Sequence, residues 1–412
     1  MSDPRLAAGP GHDPLPGDRF HPRSWVAPAA LDRVGGVALA VGVVGAALLL
    51  LGFLVAREEF FRAYLVGYLY WLGVALGSLA LVMLYHLTGG GWGVAARRIL
   101  EAGSRTLPAL AVLFLPLAFG LEVLYEWARE EAVAGDPILQ HKADYLNAGA
   151  WLARAAVYFA IWLVLALLLN RWSARQDEAP SPGLILRMRR LAAPGLVAYV
   201  LTISFAAMDW VMSLDPHWYS TIYGVWLLAG QGISTLAFLI LVAGFLDRRP
   251  PLAGVLQKVH FHDWGKLLLA FTLLWTYFSL SQLLIIWSGN IPEEVLWYEH
   301  RLHGGWQHVG LALALLHFAL PFLLLLSRDL KRDVRLLAPV AGLLLVMHWV
   351  DYWWNVVPVF SPSDFTLHWL DLVAPLAIGG LWVWLFTREL KRWPLLPIGD
   401  PNLAEMLSHG GH

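Results

Sequence analysis

The 412-residue sequence contains no cysteine. This absence excludes disulfide bonds, cysteine-ligated iron–sulfur clusters and covalent haem attachment through a C-x-x-C-H motif. Charged residues are also scarce, at 14%, whereas a soluble domain uses about 25%. The glycine motifs of P-loop and dinucleotide-binding proteins are absent, and a net charge of −1 gives no support for nucleic-acid binding. The scarcity of charge excludes an ordinary soluble domain and leaves lipid as the solvent for most of the surface.

Long apolar runs make up most of the chain. Hydrophobic residues account for 58% of it, the mean hydropathy is +0.59, and the 22 tryptophans are of the kind that favours the headgroup layer. An apolar run of about 20 residues can cross the hydrocarbon core as a helix. The sequence therefore predicts an all-α polytopic membrane helical bundle of about ten transmembrane helices at 34–387, between a flexible N-terminal tail, 1–33, and a C-terminal tail, 388–412. The predicted spans are 34–56, 63–87, 106–127, 148–169, 191–213, 221–246, 264–288, 305–327, 336–358 and 367–387.

The basic residues are distributed unevenly between the two sets of connections. Of the 29 Lys and Arg, 22 lie in the tails and the even-numbered connections, and five lie in the odd-numbered connections. Short cytoplasmic loops carry the excess of basic residues in multi-pass proteins. The bias predicts that both termini are cytoplasmic and that the loops around Pro216, Asn290 and Ser363 face the other side.

Several ionisable residues fall inside the predicted spans, where they are costly and by default mark a functional path. Once the spans are oriented, most of them are predicted in the outer half of the membrane, with His317 roughly central. Residues three or four apart share a helix face, and carboxylates interleaved with histidines can pass protons. The predicted proton path consists of Glu122 and Glu126, Arg154, Asp209, His348 and Asp351, and His368 and Asp371.

Two other interpretations of these residues remain open. They can be satisfied ion pairs and buried hydrogen bonds, in which case Arg154 neutralises Glu122 or Glu126. Histidines can also hold b-type haem when two imidazoles face each other at matching depth. His348 and His368 are the best such pair, but their predicted depths differ.

Two loops predicted on the outer side, 209–221 and 287–294, combine aromatic rings with histidine and carboxylates. Such loops suit contact with a partner protein or a quinone headgroup. An interfacial aromatic belt with helix-capping groups is the structural alternative. The predicted contact residues are His217, Trp218, Asn290, Glu293 and Glu294.

Three segments of the chain carry a family resemblance: 205–224, 287–294 and the HFHDWGK run at 260–266. With the ten predicted spans, they resemble the ActF family of membrane subunits of alternative complex III, a bacterial quinol:electron-acceptor oxidoreductase. These subunits belong to the polysulfide reductase membrane-anchor-like (NrfD-like) group. The resemblance extends from about the second to the tenth span. The positions that match its pattern most closely are Asp209, His217, Asn290, Glu293 and Glu294.

The resemblance implies a location in the bacterial cytoplasmic membrane, within a complex that oxidises menaquinol or a similar quinol. Electrons would pass through iron–sulfur clusters and c-type haems on other subunits. The implied partners are an ActC-like paralogue, an iron–sulfur subunit and a multi-haem cytochrome c subunit. The chain itself is expected to bind no metal cofactor, and its implied role is a quinone site or a proton path.

Three functions are therefore open. The first is a non-catalytic subunit of a quinol oxidoreductase that provides a proton path, with or without a quinone site. The second is a purely structural scaffold for a paralogous quinol-binding subunit. The third is a free-standing ion-coupled transporter, a class that often has two related halves and broken helices at mid-membrane.

Overall fold

The computed structural model describes residues 22–408, and the regular elements in this part of the chain are all helical. Ten helices there are long and apolar enough to cross a membrane. This confirms the predicted number of spans and identifies a multi-pass membrane protein. The ten helices are α1 (Ala30–Val55), α2 (Arg57–Thr88), α3 (Gly91–Ala118), α4 (Ala148–Glu178), α5 (Pro182–Leu214), α6 (Tyr223–Asp247), α7 (Lys258–Gly289), α8 (Trp306–Leu326), α9 (Val334–Phe360) and α10 (Trp369–Lys391).

Two of the spanning helices depart from regular α-helical geometry. α3 is interrupted after Ser104 and again after Leu113. α8 is π-helical over Leu313–Ala319, a segment that includes His317. Pro321 follows this segment, and proline has no N–H and crowds the carbonyl four residues before it. The wider π-turn accommodates that carbonyl.

Shorter elements connect the spans at the two ends of the bundle. What we call the long-loop end comprises residues 119–147, 215–222, 290–305 and 361–368. What we call the arginine-rich end comprises residues 89–90, 179–181, 248–257, 327–333 and 392–408. The remaining helical segments are the 3-10 turns Pro22–Trp25 and Glu126–Ala128 and the short helices Leu121–Leu124, Glu130–Gly135, Pro137–Lys142, Pro292–Leu302, Arg328–Arg332 and Leu403–Ser408. α5 itself ends in a 3-10 turn, Met212–Leu214.

The ten helices form two four-helix groups and a flanking pair. α2 to α5 pack together, α6 to α9 pack together, and α1 and α10 lie side by side against α2. Small residues let the flanking pair approach closely, since a Cβ on Gly45 would lie 2.6 Å from the Cβ of Ala377. The two groups meet along α2 and α6, where Thr235 fills the space beside Gly77. This contact brings α2 beside the core of the second group.

The third span differs from its prediction. It runs over Gly91–Ala118 and not over 106–127. Arg97 and Arg98 do not end the helix, because both are buried and form ion pairs with Glu101 of the same helix. Beyond the span, Tyr125 has an extended backbone conformation between two short turns. The last part of the predicted span is therefore a loop.

The predicted tails are described only in part, since residues 1–21 and 409–412 lie outside the described residues. The segment around Trp25 packs against the arginine-rich end. Trp25 is buried there, and its carbonyl accepts a hydrogen bond from the N–H of Leu395 at 2.8 Å. The segments before α1 and after α10 thus cover this end of the bundle together.

Candidate functional site

The second four-helix group encloses a cluster of titratable side chains. His317 on α8 and His348 on α9 stack with their ring centroids 5.9 Å apart and their planes 13° from parallel. The Nδ1 atom of His348 lies 3.6 Å from Oδ2 of Asp351, one turn further along α9. Trp275 of α7 donates from Nε1 to the same oxygen at 3.0 Å, and Asn355 donates to Oδ1 at 3.3 Å. We call these five residues the mid-membrane cluster.

The cluster is buried and incompletely hydrogen-bonded. His317 is 0% exposed and His348 is 1% exposed. Both ring nitrogens of each histidine lack a hydrogen-bond partner among the described residues. An unsatisfied buried polar atom costs about 1–3 kcal/mol, and native cores contain few of them. Four such atoms on two adjacent rings therefore need a reason other than packing.

The cluster lies near mid-depth in the membrane. Asp351 precedes the end of α9 at Phe360 by nine residues, which is about 14 Å at the helical rise of about 1.5 Å per residue. His317 follows the start of α8 at Trp306 by eleven residues, or about 16 Å. Half of a typical hydrocarbon core is about 15 Å. The structure therefore places the pair on α9 level with His317, for which the sequence predicted a central position.

A glycine makes room for the cluster. A Cβ on Gly230 of α6 would lie 2.1 Å from Cε1 of His348, so a side chain cannot be added there without a shift. Tyr70 of α2 and Tyr352 of α9 line the cluster, with ring centroids 6.3 and 4.9 Å from that of His348. The imidazole is therefore held between a bare stretch of backbone and two aromatic rings.

Asp209, at the end of α5, belongs to a separate site in the first four-helix group. Its carboxylate accepts two hydrogen bonds from Arg154, both at 2.9 Å, and one from the hydroxyl of Tyr158 at 2.7 Å. The pairing of Arg154 with Glu122 or Glu126 that the sequence suggested does not form. The bidentate contact with a fully buried carboxylate takes the guanidinium instead.

The prediction that Glu122 and Glu126 share a helix face is wrong. Tyr125 between them is extended, so the two glutamates belong to different turns. Both are exposed, and Glu126 lies 3.9 Å from Arg129. They lie on the long-loop end because α3 has already ended at Ala118.

His368 and Asp371 form the N-terminal cap of α10. The Asp371 carboxylate accepts from the backbone N–H of His368 at 2.9 Å, and the His368 side chain accepts from that of Leu370 at 3.4 Å. Arg62 of α2 lies 3.7 Å from Asp371, and both side chains are buried. The pair ties α10 to α2 near the long-loop end. Among the described residues, no hydrogen bond or ion pair joins it to the mid-membrane cluster or to Asp209.

Two of the predicted contact residues, His217 and Trp218, lie in the loop after α5. Trp218 is buried and stacks on Trp297 with ring centroids 5.0 Å apart. His217 is exposed, and its Nε2 lies 2.6 Å from Oδ2 of Asp136 in the loop before α4. This hydrogen bond holds the pKa of Asp136 below its usual range. His217 thus links the loop after α5 to the loop before α4, and Trp218 anchors its loop in the buried part of the long-loop end.

The other three, Asn290, Glu293 and Glu294, lie where α7 ends and the next helix begins. Asn290 has a left-handed backbone, with φ 46°, and ends α7. The two glutamates occupy the first turn of Pro292–Leu302, where acidic side chains interact favourably with the helix dipole. Asn290 and Glu293 are exposed and Glu294 is half-buried. These side chains are accessible to a partner.

Arg301 is a buried cation beside the cluster, and the sequence indicated only a loop residue at this position. Its guanidinium donates to the backbone carbonyls of Trp297, Trp354 and Asn355 at 2.7, 3.2 and 2.7 Å. No carboxylate among the described residues lies within ion-pair distance of it. Burial lowers the pKa of Arg301 to about 10. Through Asn355, this charge adjoins the carboxylate of Asp351.

A dense group of buried charges lies at the arginine-rich end, in the half of the membrane where the sequence predicted few. Glu101 of α3 accepts from Arg97 at 2.8 Å and from Arg98 at 2.5 Å. Arg97 also donates to Asp400 at 2.7 Å, and Arg98 pairs with Asp177 near the end of α4. We call these five residues the arginine-end network. The spacing of two arginines three and four residues before a glutamate was the signal that could have revealed it.

Comparison with known proteins gives no relative for the chain, since no protein-family model and no curated protein matches it. No group of three or more His, Cys, Asp or Glu within residues 22–408 is arranged to hold a metal ion. The pair considered for b-type haem does not meet, because His348 faces His317 whereas His368 caps α10. The fold and its sites define a multi-pass helical membrane protein with a titratable cluster in its core.

Proposed function

We propose that this chain is a proton-conducting membrane subunit of a bacterial quinol:electron-acceptor oxidoreductase of the alternative complex III type. The observation that carries the proposal is the mid-membrane cluster, where one buried carboxylate meets two buried imidazoles with unpartnered nitrogens. Ionisable groups at this depth are expensive and mark proton relays in membrane proteins. The family resemblance of the sequence supplies the type of complex.

Proton transfer in the cluster needs an acceptor and a relay. The carboxylate of Asp351 is 3.6 Å from His348, so a proton on that imidazole can pass to the carboxylate with little movement, and both groups become neutral. The stacked ring of His317 offers the next acceptor. An imidazole takes up a proton at one nitrogen and releases one from the other, which suits it to a relay.

Polar side chains continue from the cluster toward the arginine-rich end. A Cβ on Gly73 of α2 would lie 3.1 Å from the Cγ of Gln231 and 3.3 Å from the hydroxyl of Tyr352, so these two side chains meet there. The Tyr199 hydroxyl donates to Gln231 at 2.6 Å. Thr235 lies one turn further along α6. This series of hydroxyl and amide groups extends the proposed path from the cluster by about one helical turn toward that end.

A cavity beside the cluster supports a quinone site. It has a volume of about 300 Å³ and lies between α7 and α8, with the lipid-exposed Leu280 at its rim. Trp275 forms part of its wall and donates to Asp351. Trp226 and Trp354 also line it, and their buried indole N–H groups have no acceptor among the described residues. An apolar cavity with a few donors suits the ring and carbonyl oxygens of menaquinone.

The orientation and the partners rest on the sequence. The excess of basic residues favours a cytoplasmic arginine-rich end, with both termini on that side. The long-loop end would then face outward. Tyr219 in this end is 61% exposed, and Trp287, in the last turn of α7 beside it, is 74% exposed. Exposed aromatic residues are typical of protein interfaces. We assign this surface to the ActC-like, iron–sulfur or multi-haem cytochrome c partner.

Asp351→Asn tests the proton path, with Asp263→Asn as the matched control. Asp263 is a partly exposed carboxylate that pairs with Lys266 at 3.1 Å near the arginine-rich end. In the complex reconstituted into liposomes, we expect Asp351→Asn to lower quinol-dependent proton release about 100-fold or more, the contribution of a positioned acid–base group. The control should release protons at the normal rate, and both variants should purify with all subunits.

The alternatives give different results. Normal proton release by Asp351→Asn would refute the path, and loss of the partner subunits would favour the scaffold. Purification from native membranes tests the type of complex, because the absorption bands of c-type haem should accompany the chain. A haem-free preparation that moves a solute in liposomes would indicate an ion-coupled transporter.

A further inference from the structure

A polar cavity lies between the first turns of α1 and the last turns of α10, at the arginine-rich end. Its volume is about 420 Å³, and its lining includes three basic side chains, Arg388, Lys391 and Arg392. A Cβ on Gly36 would meet no atom within 4 Å, so the wall formed by α1 is open at that point. The cavity is therefore wide enough for a small charged group.

The lining carries more positive than negative charge. Lys391 pairs with Asp32, the one acidic residue of the lining. The guanidinium of Arg388 lies 4.9 Å over the ring of Trp384 and has no ion-pair partner among the described residues. Arg392 pairs with Glu389 at 2.6 Å but remains exposed. The cavity thus presents one unpaired guanidinium and a second one that is accessible, which favours an anionic ligand.

The position of the cavity points to a lipid as the source of that anion. Trp384 is half-buried, and a tryptophan near the end of a spanning helix is typical of the headgroup layer. From the cavity, α1 exposes an apolar stripe that runs toward the long-loop end. The stripe consists of Val43, Leu50 and Leu54, which lie on the same face of α1 as Gly36. An acyl chain along this stripe would keep its headgroup at the basic side chains.

We propose that this cavity binds the phosphate headgroup of an anionic phospholipid, with one acyl chain against α1. Basic pockets between spanning helices are known to hold such headgroups. Arg388 and Arg392 contact the phosphate, while Lys391 and Asp32 close the cavity between the two helices. The lining residues of this cavity are separate from those of the mid-membrane cluster. The proposed lipid site therefore does not depend on the proposed proton path.

Native mass spectrometry of the detergent-purified protein, with any copurifying subunits, tests this site. Dioleoyl phosphatidylglycerol should bind more tightly than dioleoyl phosphatidylcholine. We expect Arg388→Gln to weaken phosphatidylglycerol binding about fivefold and Arg388→Gln with Arg392→Gln about thirtyfold, since each basic residue adds one favourable charge contact. Arg248→Gln with Arg249→Gln, on the α6–α7 connection of the same end, is the matched control and should bind normally.

Two results of the lipid-binding comparison would overturn the proposal. One is equal binding of the two lipids to the unaltered protein. The other is an equal loss of binding in the control, which would show that overall charge and not this cavity attracts the lipid. Inorganic phosphate provides a third arm: because it lacks an acyl chain, it should not displace the lipid at equal concentration, and displacement would show a site for free anions.

Discussion

His317 and His348 face each other with 5.9 Å between their ring centroids, and the helix that carries His317 is π-helical at that point. π-Segments are rare and recur at functional sites. His317 also contacts Trp275 edge-on, with the two ring centroids 4.3 Å apart. On the other side, Gly230 leaves space for His348. Two unusual features of the backbone therefore serve one pair of imidazoles.

Gly230→Ala should disturb this pair without changing a titratable group. The added methyl would lie 2.1 Å from Cε1 of His348, so the imidazole or α6 must shift. A misplacement of about 1 Å can slow a reaction roughly 100-fold, and we expect proton release in the reconstituted complex to fall by about tenfold or more. Gly342→Ala on α9 is the control, because its Cβ would meet nothing within 4 Å. Equal rates in both variants would contradict a requirement for this position of His348.

Asp209→Asn should lower stability and leave proton release intact. Loss of one partner from a buried ion pair costs about 3–5 kcal/mol. Because the Arg154 side chain is 20% exposed, we expect about 3 kcal/mol, the lower end of this range. Thermal unfolding of the purified protein measures the change, and the double variant with Arg154→Gln should lose less than the two single losses together. Lost proton release at a normal melting temperature would place Asp209 in the path instead.

Asp400→Asn should loosen the segment that covers the arginine-rich end. This carboxylate accepts from Arg97 at 2.7 Å and from the Tyr85 hydroxyl at 2.5 Å. Asp400→Asn removes one of the negative charges that neutralise the buried guanidinium of Arg97. Loss of one partner from a buried ion pair costs about 3–5 kcal/mol. We expect faster trypsin cleavage after Arg392 and Lys391. Asp263→Asn, which removes a partly exposed carboxylate near the same end, should be cut at nearly the normal rate, and equal acceleration in both variants would argue against the network.

The contact between Asp136 and His217 should depend on pH. The hydrogen bond to His217 lowers the pKa of Asp136 in the folded protein, below the unfolded value of about 3.9. Its stabilising effect is therefore complete above that value and is lost as the pH falls through the lower, folded pKa. The amides of Ile138 and Leu139, which donate to Asp136, should stay protected from hydrogen exchange at pH 5 and lose protection in stronger acid. The same acid sensitivity in Asp136→Asn would exclude this carboxylate as its cause.

The sequence was sufficient where a property depends on one helix. The number of spans followed from the length and composition of each apolar run, and ten were found. The face shared by His348, Asp351 and Asn355 is present on α9, where Asn355 donates to the backbone carbonyl of Asp351 at 2.8 Å. Regular helical spacing is enough to place such residues together.

Properties that depend on two helices were not predictable in the same way. Arg154 had several carboxylates within reach of its span, and only the packing of α4 on α5 selects Asp209. His317, which stacks on His348, lies in the π-segment of α8, and hydropathy does not reveal such a segment. Glu122 was misplaced because α3 ends at Ala118 while the sequence is still apolar.

The arginine-end network has a consequence for the order in which the chain is made. Arg97, Arg98 and Glu101 belong to the third helix to be synthesised, whereas Asp400 follows the tenth. Until Asp400 emerges, the buried arginines lack one of their three acidic partners, Glu101, Asp177 and Asp400. Charge balance inside the protein is therefore reached only after every helix has been inserted. In an incompletely translated chain, Arg97 would therefore be inserted without the carboxylate of Asp400 that it contacts in the finished protein.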